Sequence, residues 1–366
     1  MHSVRRISAL VRLTSFAASL LLIAGCGSNS GAPNIFRRVN LVSNVVGFSD
    51  SAGTAAVTDP NLKNPWGIAF SPSGPFWIAD NGTSLATVYN GSGAIQPLVI
   101  AIPGPSGPGA PTGEVYNGTA DFAVTPGNPA IFLFSTEDGT IVAWQTGTSG
   151  VIKVNNSASG AIYKGLAIGN NGTANFIYAA NFHSGAIDVF DRNFAAATLS
   201  GSFTDPAAPA GFAPFNIANI GGQLFVAYAK QDAAKKDDVA GPGNGFVDVF
   251  DTNGRFVRRF ASGTAAGGSL TQLNAPWGLL RAPASFGPFG DSLLVGNFGD
   301  GRINAFDRNN GNLQGQLQDT AGAPIVIPGL WALTLGNGGS AGQPGVLYFT
   351  AGINDEQDGL FGSIQP

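Results

Sequence analysis

The sequence predicts an all-β fold, a six-bladed β-propeller of four-stranded antiparallel blades, closed by an N-terminal strand that completes the last blade. Three observations predict it. A unit of two apolar runs around a turn, NPWGIAFSPSGPFWIADNG at 64–82, returns as NAPWGLLRAPASFGPFGDSLLVGNFGDG at 274–301. Six copies of this unit follow one another at intervals of 45 to 62 residues, the spacing of four short strands and their turns. Finally, the last copy stops one strand short, while a β-like run before the first copy, RVNLVS at 38–43, has no blade of its own. Pairing these two leftovers removes both open edges.

The composition agrees. Among 366 residues, 44% are hydrophobic and only 11% charged, while 53 glycines and 23 prolines are spread along the chain. A disordered chain would be poor in apolar residues and rich in charge, the reverse of this one. A β-helix would need shorter, more regular rungs, and stacked sandwiches would not give six like units.

The first runs of the copies begin at Trp66 (WGIAF), Ala120 (ADFAV), Gly165 (GLAI), Phe215 (FNIA), Trp277 (WGLLR) and Trp331 (WALTL). The second runs are FWIAD, IFLFS, FIYAA, QLFVAYA, SLLVGN and GVLYFT. The third are ATVY, TIVAW, AIDVF, FVDVF, RINAF and GLFGSI. Four of the third runs lead into NGSG, DRN, DTNG or DRNNG, residues that tolerate positive φ and reverse the chain between antiparallel strands. Fourth runs such as QPLVIAI and FVRRF complete several units.

The N-terminus lies outside this pattern. Arg5, Arg6 and Arg12 precede the apolar run Leu13 to Gly25, too short to span a bilayer but of signal-peptide length. It ends in LIAGC, which resembles the bacterial lipobox. That resemblance implies cleavage before Cys26 and acylation of its thiol. Cys26 is the only cysteine, so no intrachain disulfide forms. The expected organisation is a lipoprotein signal peptide at 1–25, lipidated Cys26 and a flexible tether at 26–37, and the propeller at 38–366. Gly27 after the cysteine, by resemblance to Gram-negative sorting rules, favours the outer membrane if the host is Gram-negative. The expected location is therefore outside the cytoplasm, lipid-anchored to the cell envelope, with the membrane as partner through the anchor alone. Loss of the three leader arginines leaves 15 basic residues against 22 acidic ones, a net charge of −7 that argues against nucleic acid. The domain is expected to be monomeric.

LKNPWGIAF…FWIADNG and LNAPWGLL…INAFDRNNG resemble the NHL repeat, a strand pair followed by a strand ending Phe-Asp-x-x-Gly. The likeness spans about residues 39 to 366, and the chain as a whole resembles an uncharacterised family of secreted bacterial propeller proteins. Propellers host enzymes and plain binding modules, so the fold by itself names no function.

In a propeller, the start of each first strand and the end of each second strand share one face. That face collects the candidate ligand site: Asn64, Asp80, Asn81, Glu137, Asn181, His183, Asn216, Asn297 and Asp355. The insert at 231–245, QDAAKKDDVAGPGNG, overhangs it. Oxygen donors on facing loops suit a hard cation such as Ca²⁺, and gluconolactonase-like propellers hold a metal with Glu, Asn and Asp at this mouth. The same residue types also cap turns and strand ends without any ligand. His183 is the only histidine after the leader, so a zinc site lacks ligands, and its neighbour Ser184 is not thereby a nucleophile. Trp66, Trp277 and Trp331 share one repeat position, which fits either packing between blades or stacking on a flat ligand. Two functions follow: a binding or scaffold module for an unknown protein or small molecule, or a Ca²⁺-type lactonase-like hydrolase.

Overall fold

Each blade begins with a strand that turns one residue near its start toward the propeller axis, and a local irregularity in pairing explains how. The first strands are Pro65–Ala69, Pro111–Tyr116, Tyr163–Asn170, Phe212–Ile220, Pro276–Arg281 and Leu330–Leu335. In all six the register against the second strand shifts at the same place, just after Pro65, Pro111, Tyr163, Pro214, Pro276 or Leu330. A bulge of this kind bends the strand and re-aims a side chain. The residues that follow these six positions are Trp66, Thr112, Lys164, Phe215, Trp277 and Trp331.

This is a computed structural model describing residues 32–263 and 272–366. Cys26, the signal segment at 1–25 and the first part of the tether lie outside the described residues. The rest builds six blades. Blade 1 continues through Phe76–Asp80, Leu85–Tyr89 and Ile95–Ala101, and blade 2 through Phe132–Thr136, Thr140–Trp144 and Val151–Asn155. Blade 4 adds Gln223–Lys230, Gly245–Asp251 and Phe256–Ala261, and blade 5 adds Leu293–Asn297, Ile303–Phe306 and Leu313–Gln316. Blade 3 has Asn175–Asn181 and Ala186–Phe190, with its fourth position held by a single bridge between Phe190 and Ala196.

Blade 6 is the closure. Leu330–Leu335, Leu347–Ala351 and Leu360–Gln365 are joined by Arg37–Ser43, which runs antiparallel to the third strand from Arg37 opposite Gln365 to Ser43 opposite Leu360. The first and last long strands of the propeller therefore share one sheet. Val42, Phe361, Tyr348 and Phe76 pack in one apolar cluster, so the closing strand is bound by side chains as well as by its ladder.

One element departs from expectation. The second copy does not start with ADFAV at Ala120. Its first strand is Pro111–Tyr116, and Ala123–Thr125 instead forms a small hairpin with Asn128–Pro129. PTGEVY carries Thr112 where three blades carry tryptophan and Glu114 where the others carry an aliphatic residue, so apolar pattern alone passes over it.

In blades 1 and 3 the neighbouring first strand approaches too closely for a side chain at the next position. A Cβ on Gly67 would lie 2.5 Å from the Thr112 carbonyl oxygen, and one on Gly165 would lie 2.2 Å from Asn216 Oδ1. Glycine at these sites lets the neighbouring strand close in, while blades 4 and 6 place Asn216 and Ala332 at the same position.

Candidate functional site

The axis is blocked. Trp66, Trp277 and Trp331 meet in the channel rather than between blades, with Phe182 and Phe215 in the same buried cluster. Trp66 stacks on Trp331 at 3.5 Å between ring centroids, and Trp277 stands edge-on to both. Phe298 stacks on the outer face of Trp331 at 4.1 Å. The three indoles are 1% to 4% exposed, so they form a plug, and Phe298 is the aromatic surface facing the mouth. Two indole N–H groups are held, Trp331 Nε1 donating to Asn64 Oδ1 (3.1 Å) and Trp277 Nε1 donating to the Lys164 carbonyl (3.0 Å). Trp66 Nε1 is buried and has no partner among the described residues.

Lys164 replaces tryptophan in blade 3, and its ammonium lies 5.0 Å from the Trp66 ring centroid. Although the residue is 2% exposed, Nζ donates to Glu137 Oε1 at 2.5 Å and to Asp237 Oδ1 at 3.1 Å. Burial alone would lower the lysine pKa, but the two carboxylates outweigh it and raise it. Conversely, burial would raise Glu137, and Lys164 pulls its carboxyl below the ordinary range. The chain of contacts runs on: Asn81 Nδ2 donates to Glu137 Oε2 at 3.0 Å, and Asn64 Nδ2 to Asn81 Oδ1 at 3.4 Å.

Asp237 belongs to the insert of blade 4, which is an ordered hairpin. Gln231 bridges Asp238, and the Asp232 N–H donates to the Asp237 carbonyl at 2.8 Å. Gln231 Nε2 also reaches the Phe182 carbonyl, fastening the insert to blade 3. Lys164 thus ties the insert to the mouth.

Beside the plug lies a groove of about 430 Å³ between blades 5 and 6, lined by Ala240, Phe298, Asp300, Pro328, Asp355 and Glu356, among others. Its acidic wall comes from a strained turn: Asn354, Asp355 and Glu356 have φ of 54°, 53° and 62° in succession. Asn and Asp tolerate this region, but the left-handed backbone of Glu356 costs on the order of 1–2 kcal/mol. Such strain persists only where the surroundings fix it, and it concentrates at functional sites. Burial pushes the Glu356 carboxyl up to about 7 despite a hydrogen bond from Asn64, and its Oε1 is buried without a partner among the described residues. Asp238 on the insert is likewise raised by burial, to about 6.

Of the nine residues expected at this face, three come together, Asn64, Asn81 and Glu137 in the polar chain, and Asp355 lines the groove. Asp80 is fully buried beneath the mouth and accepts from Thr87 Oγ1 at 2.7 Å. Asn181 ties strand ends within blade 3, donating to Asp188 Oδ2 at 3.0 Å. Asn216 links blades 4 and 5 by donating to the Trp277 carbonyl at 2.7 Å. Asn297 is fully buried and donates to the Gln272 carbonyl and Asp300 Oδ1. His183 stands apart beside Gly160. Its neighbour Ser184 directs its hydroxyl to the Asn181 carbonyl, so the two form no dyad.

Among the described residues, no group of three or more His, Cys, Asp or Glu side chains is arranged to hold a metal ion. The oxygen donors that do converge surround an ammonium, and Glu137 is already neutralised by it. A divalent cation there would stand beside the charge of Lys164, so the donor set does not fit Ca²⁺ as it is arranged. Lys164, Asp237 and Asp238 escape a reading of strand-end carboxamides and carboxylates. The signal that finds Lys164 is its place in the repeat, where the other blades put Trp, Phe or Thr.

No protein-family model matches the chain. The uncharacterised protein R648 of Acanthamoeba polyphaga mimivirus is 35% identical over 334 residues, 86% of this chain and 78% of that protein. The uncharacterised protein L690 of the same virus is 36% identical over 324 residues, 85% and 82% of the two chains. Among solved structures, that of a streptogramin B lyase matches 90% of this chain and 97% of its own with a TM-score of 0.50 at 13% identity. Identity at that level shows a shared fold alone.

Proposed function

The chain belongs to one protein family with the mimivirus proteins R648 and L690, and we propose that it serves as an exported binding module whose ligand seats in the groove beside the plugged channel. The leader and LIAGC sequence support attachment to the cell envelope through Cys26. The observation that carries the binding reading is the pairing of the aromatic face of Phe298 with the strained acidic turn bearing Glu356, across one cavity of about 430 Å³. An apolar surface with a few fixed polar groups is the usual make-up of a small-molecule site. With Asp300, Asp355 and Glu356 on the wall and no basic side chain lining it, the groove favours neutral, hydroxyl-rich or cationic ligands over anions.

The test is a thermal-shift screen of sugars, polyols and organic amines, with every hit re-measured in Phe298→Ala and Glu356→Gln. Ligands of the groove lose at least tenfold in affinity in both variants. Hits that bind both variants as tightly as wild type would place the ligand elsewhere.

A further inference from the structure

The end of the propeller away from this mouth carries a different kind of pocket. Between blades 4 and 5, about 330 Å³ is enclosed by Arg258, Arg281 and Arg308 together with Gln223, Asn309 and the tight turn at Gly221. Ile220 and Gln223 close the first hairpin of blade 4, and Arg281 ends the first strand of blade 5, so the pocket opens at the far ends of those strands. Three arginines line one pocket here, in a chain whose acidic residues outnumber its basic ones.

Their own counter-charges are few. Arg281 pairs with Asp291 at 2.8 Å on an exposed edge, an arrangement worth little in water. Arg258 and Arg308 have no carboxylate partner among the described residues. The nearby carboxylates serve their own turns: Asp307 Oδ1 accepts from the Asn309 and Asn310 N–H groups, and Asp251 Oδ1 from those of Asn253 and Arg255. No acidic residue lines the pocket. Arg258 is pre-positioned, its guanidinium carbon 4.9 Å from the Phe260 ring centroid and its Nη2 donating to the Arg308 carbonyl at 2.9 Å. Holding like charges together without a counter-ion is unfavourable, and a guanidinium fork matches the oxygens of a phosphate group.

We infer that this pocket binds a phosphate group, held by Arg258, Arg281 and Arg308 with the amides of Gln223 and Asn309. The group belongs either to a soluble phosphate or to the headgroup of an anionic phospholipid.

The probe is inorganic phosphate, titrated by calorimetry at constant ionic strength so that general salting effects cancel. Saturable heat is expected, with at least a tenfold loss of affinity in Arg308→Ala, whose exposed side chain has no folding role, and in Arg258→Gln. Arg255→Ala, outside the pocket, and Phe298→Ala, at the opposite mouth, leave it unchanged. A second arm sediments the protein with phosphatidylglycerol or phosphatidylcholine vesicles. Arg308-dependent retention on phosphatidylglycerol alone assigns the lipid headgroup, and phosphate binding without retention assigns a soluble phosphate. Absence of saturable heat together with no Arg308-dependent retention overturns the inference, as does binding that Arg308→Ala leaves intact.

Discussion

The ammonium of Lys164 lies 2.5 Å from Oε1 of Glu137, at a position that is tryptophan in three other blades. Both groups are largely buried, and each fixes the charge state of the other. Removing Lys164 leaves the buried Glu137 without its counter-charge, at a typical cost of about 3–5 kcal/mol, whereas removing Glu137 leaves Lys164 still paired with Asp237. Lys164→Met should lower unfolding free energy by that order in urea, and Glu137→Gln by less. The double variant should be less destabilised than the sum, with a coupling of about 0.5–3 kcal/mol.

The plug is the second point of strain if disturbed. Trp331 stacks on Trp66 and Phe298 and donates to Asn64, so Trp331→Ala should cost about 3–5 kcal/mol. Phe298→Ala, on the outer face, should cost less and act chiefly on ligand affinity. Denaturant curves on the two variants separate these roles.

Closure depends on the strand Arg37–Ser43. Val42 is fully buried and faces Phe361 across the ladder. Val42→Pro removes a donor and fixes φ within a strand flanked on both sides, and should cost about 3 kcal/mol or more. A fall in melting temperature of several degrees checks it, while an unchanged one would mean that the last blade stands without its N-terminal strand.

The pH dependence has a definite sign. Burial raises Glu356 to about 7 from an ordinary 4.5 and Asp238 to about 6 from 3.8. Between those limits the folded state binds more protons than the unfolded one, so stability falls as pH rises from about 4 to 7. Glu137, whose pKa Lys164 lowers, acts oppositely: its contribution is lost as pH falls below 4.5 through its folded value. Stability should therefore peak on the acid side of neutrality, and Glu356→Gln should flatten the decline between pH 5 and 7. Melting temperatures across pH 4 to 8 measure both effects.

Chelation and restoration of metal probe the donor ring. Because Glu137 is neutralised by Lys164, EDTA treatment and added Ca²⁺ should leave the melting temperature unchanged. A cation at 100 times its dissociation constant would instead add about 2.7 kcal/mol, a shift of a few degrees for a domain of this size.

The architecture was legible because the Pro-Trp-Gly start of a first strand reflects three physical demands at once. Proline begins the strand, a large side chain fills the axis, and glycine allows the next blade to close in. Blades 1 and 5 spell all three, and blades 3, 4 and 6 keep enough to align. Blade 2 keeps the proline and glycine but has Thr112 and Glu114 between and after them, so by apolar pattern ADFAV is the better strand. The mouth was only half legible for a related reason. Asn64, Asn81, Glu137 and Asp355 sit at strand ends, where position in the repeat specifies the face. Asp80, Asn181, Asn216 and Asn297 sit there too, but their side chains turn inward to satisfy backbone and neighbouring polar groups, and no local pattern distinguishes the two outcomes. Lys164 falls inside an otherwise apolar run, and its meaning emerges only when aligned with Trp66, Trp277 and Trp331.

A crystallographic fragment soak of the propeller tests the central claim most directly. Bound fragments should gather against Phe298 and Glu356 in the groove between blades 5 and 6, with the indole plug intact beneath them. Fragments that leave this groove empty and cluster elsewhere, or that enter the channel by displacing Trp331, would contradict it.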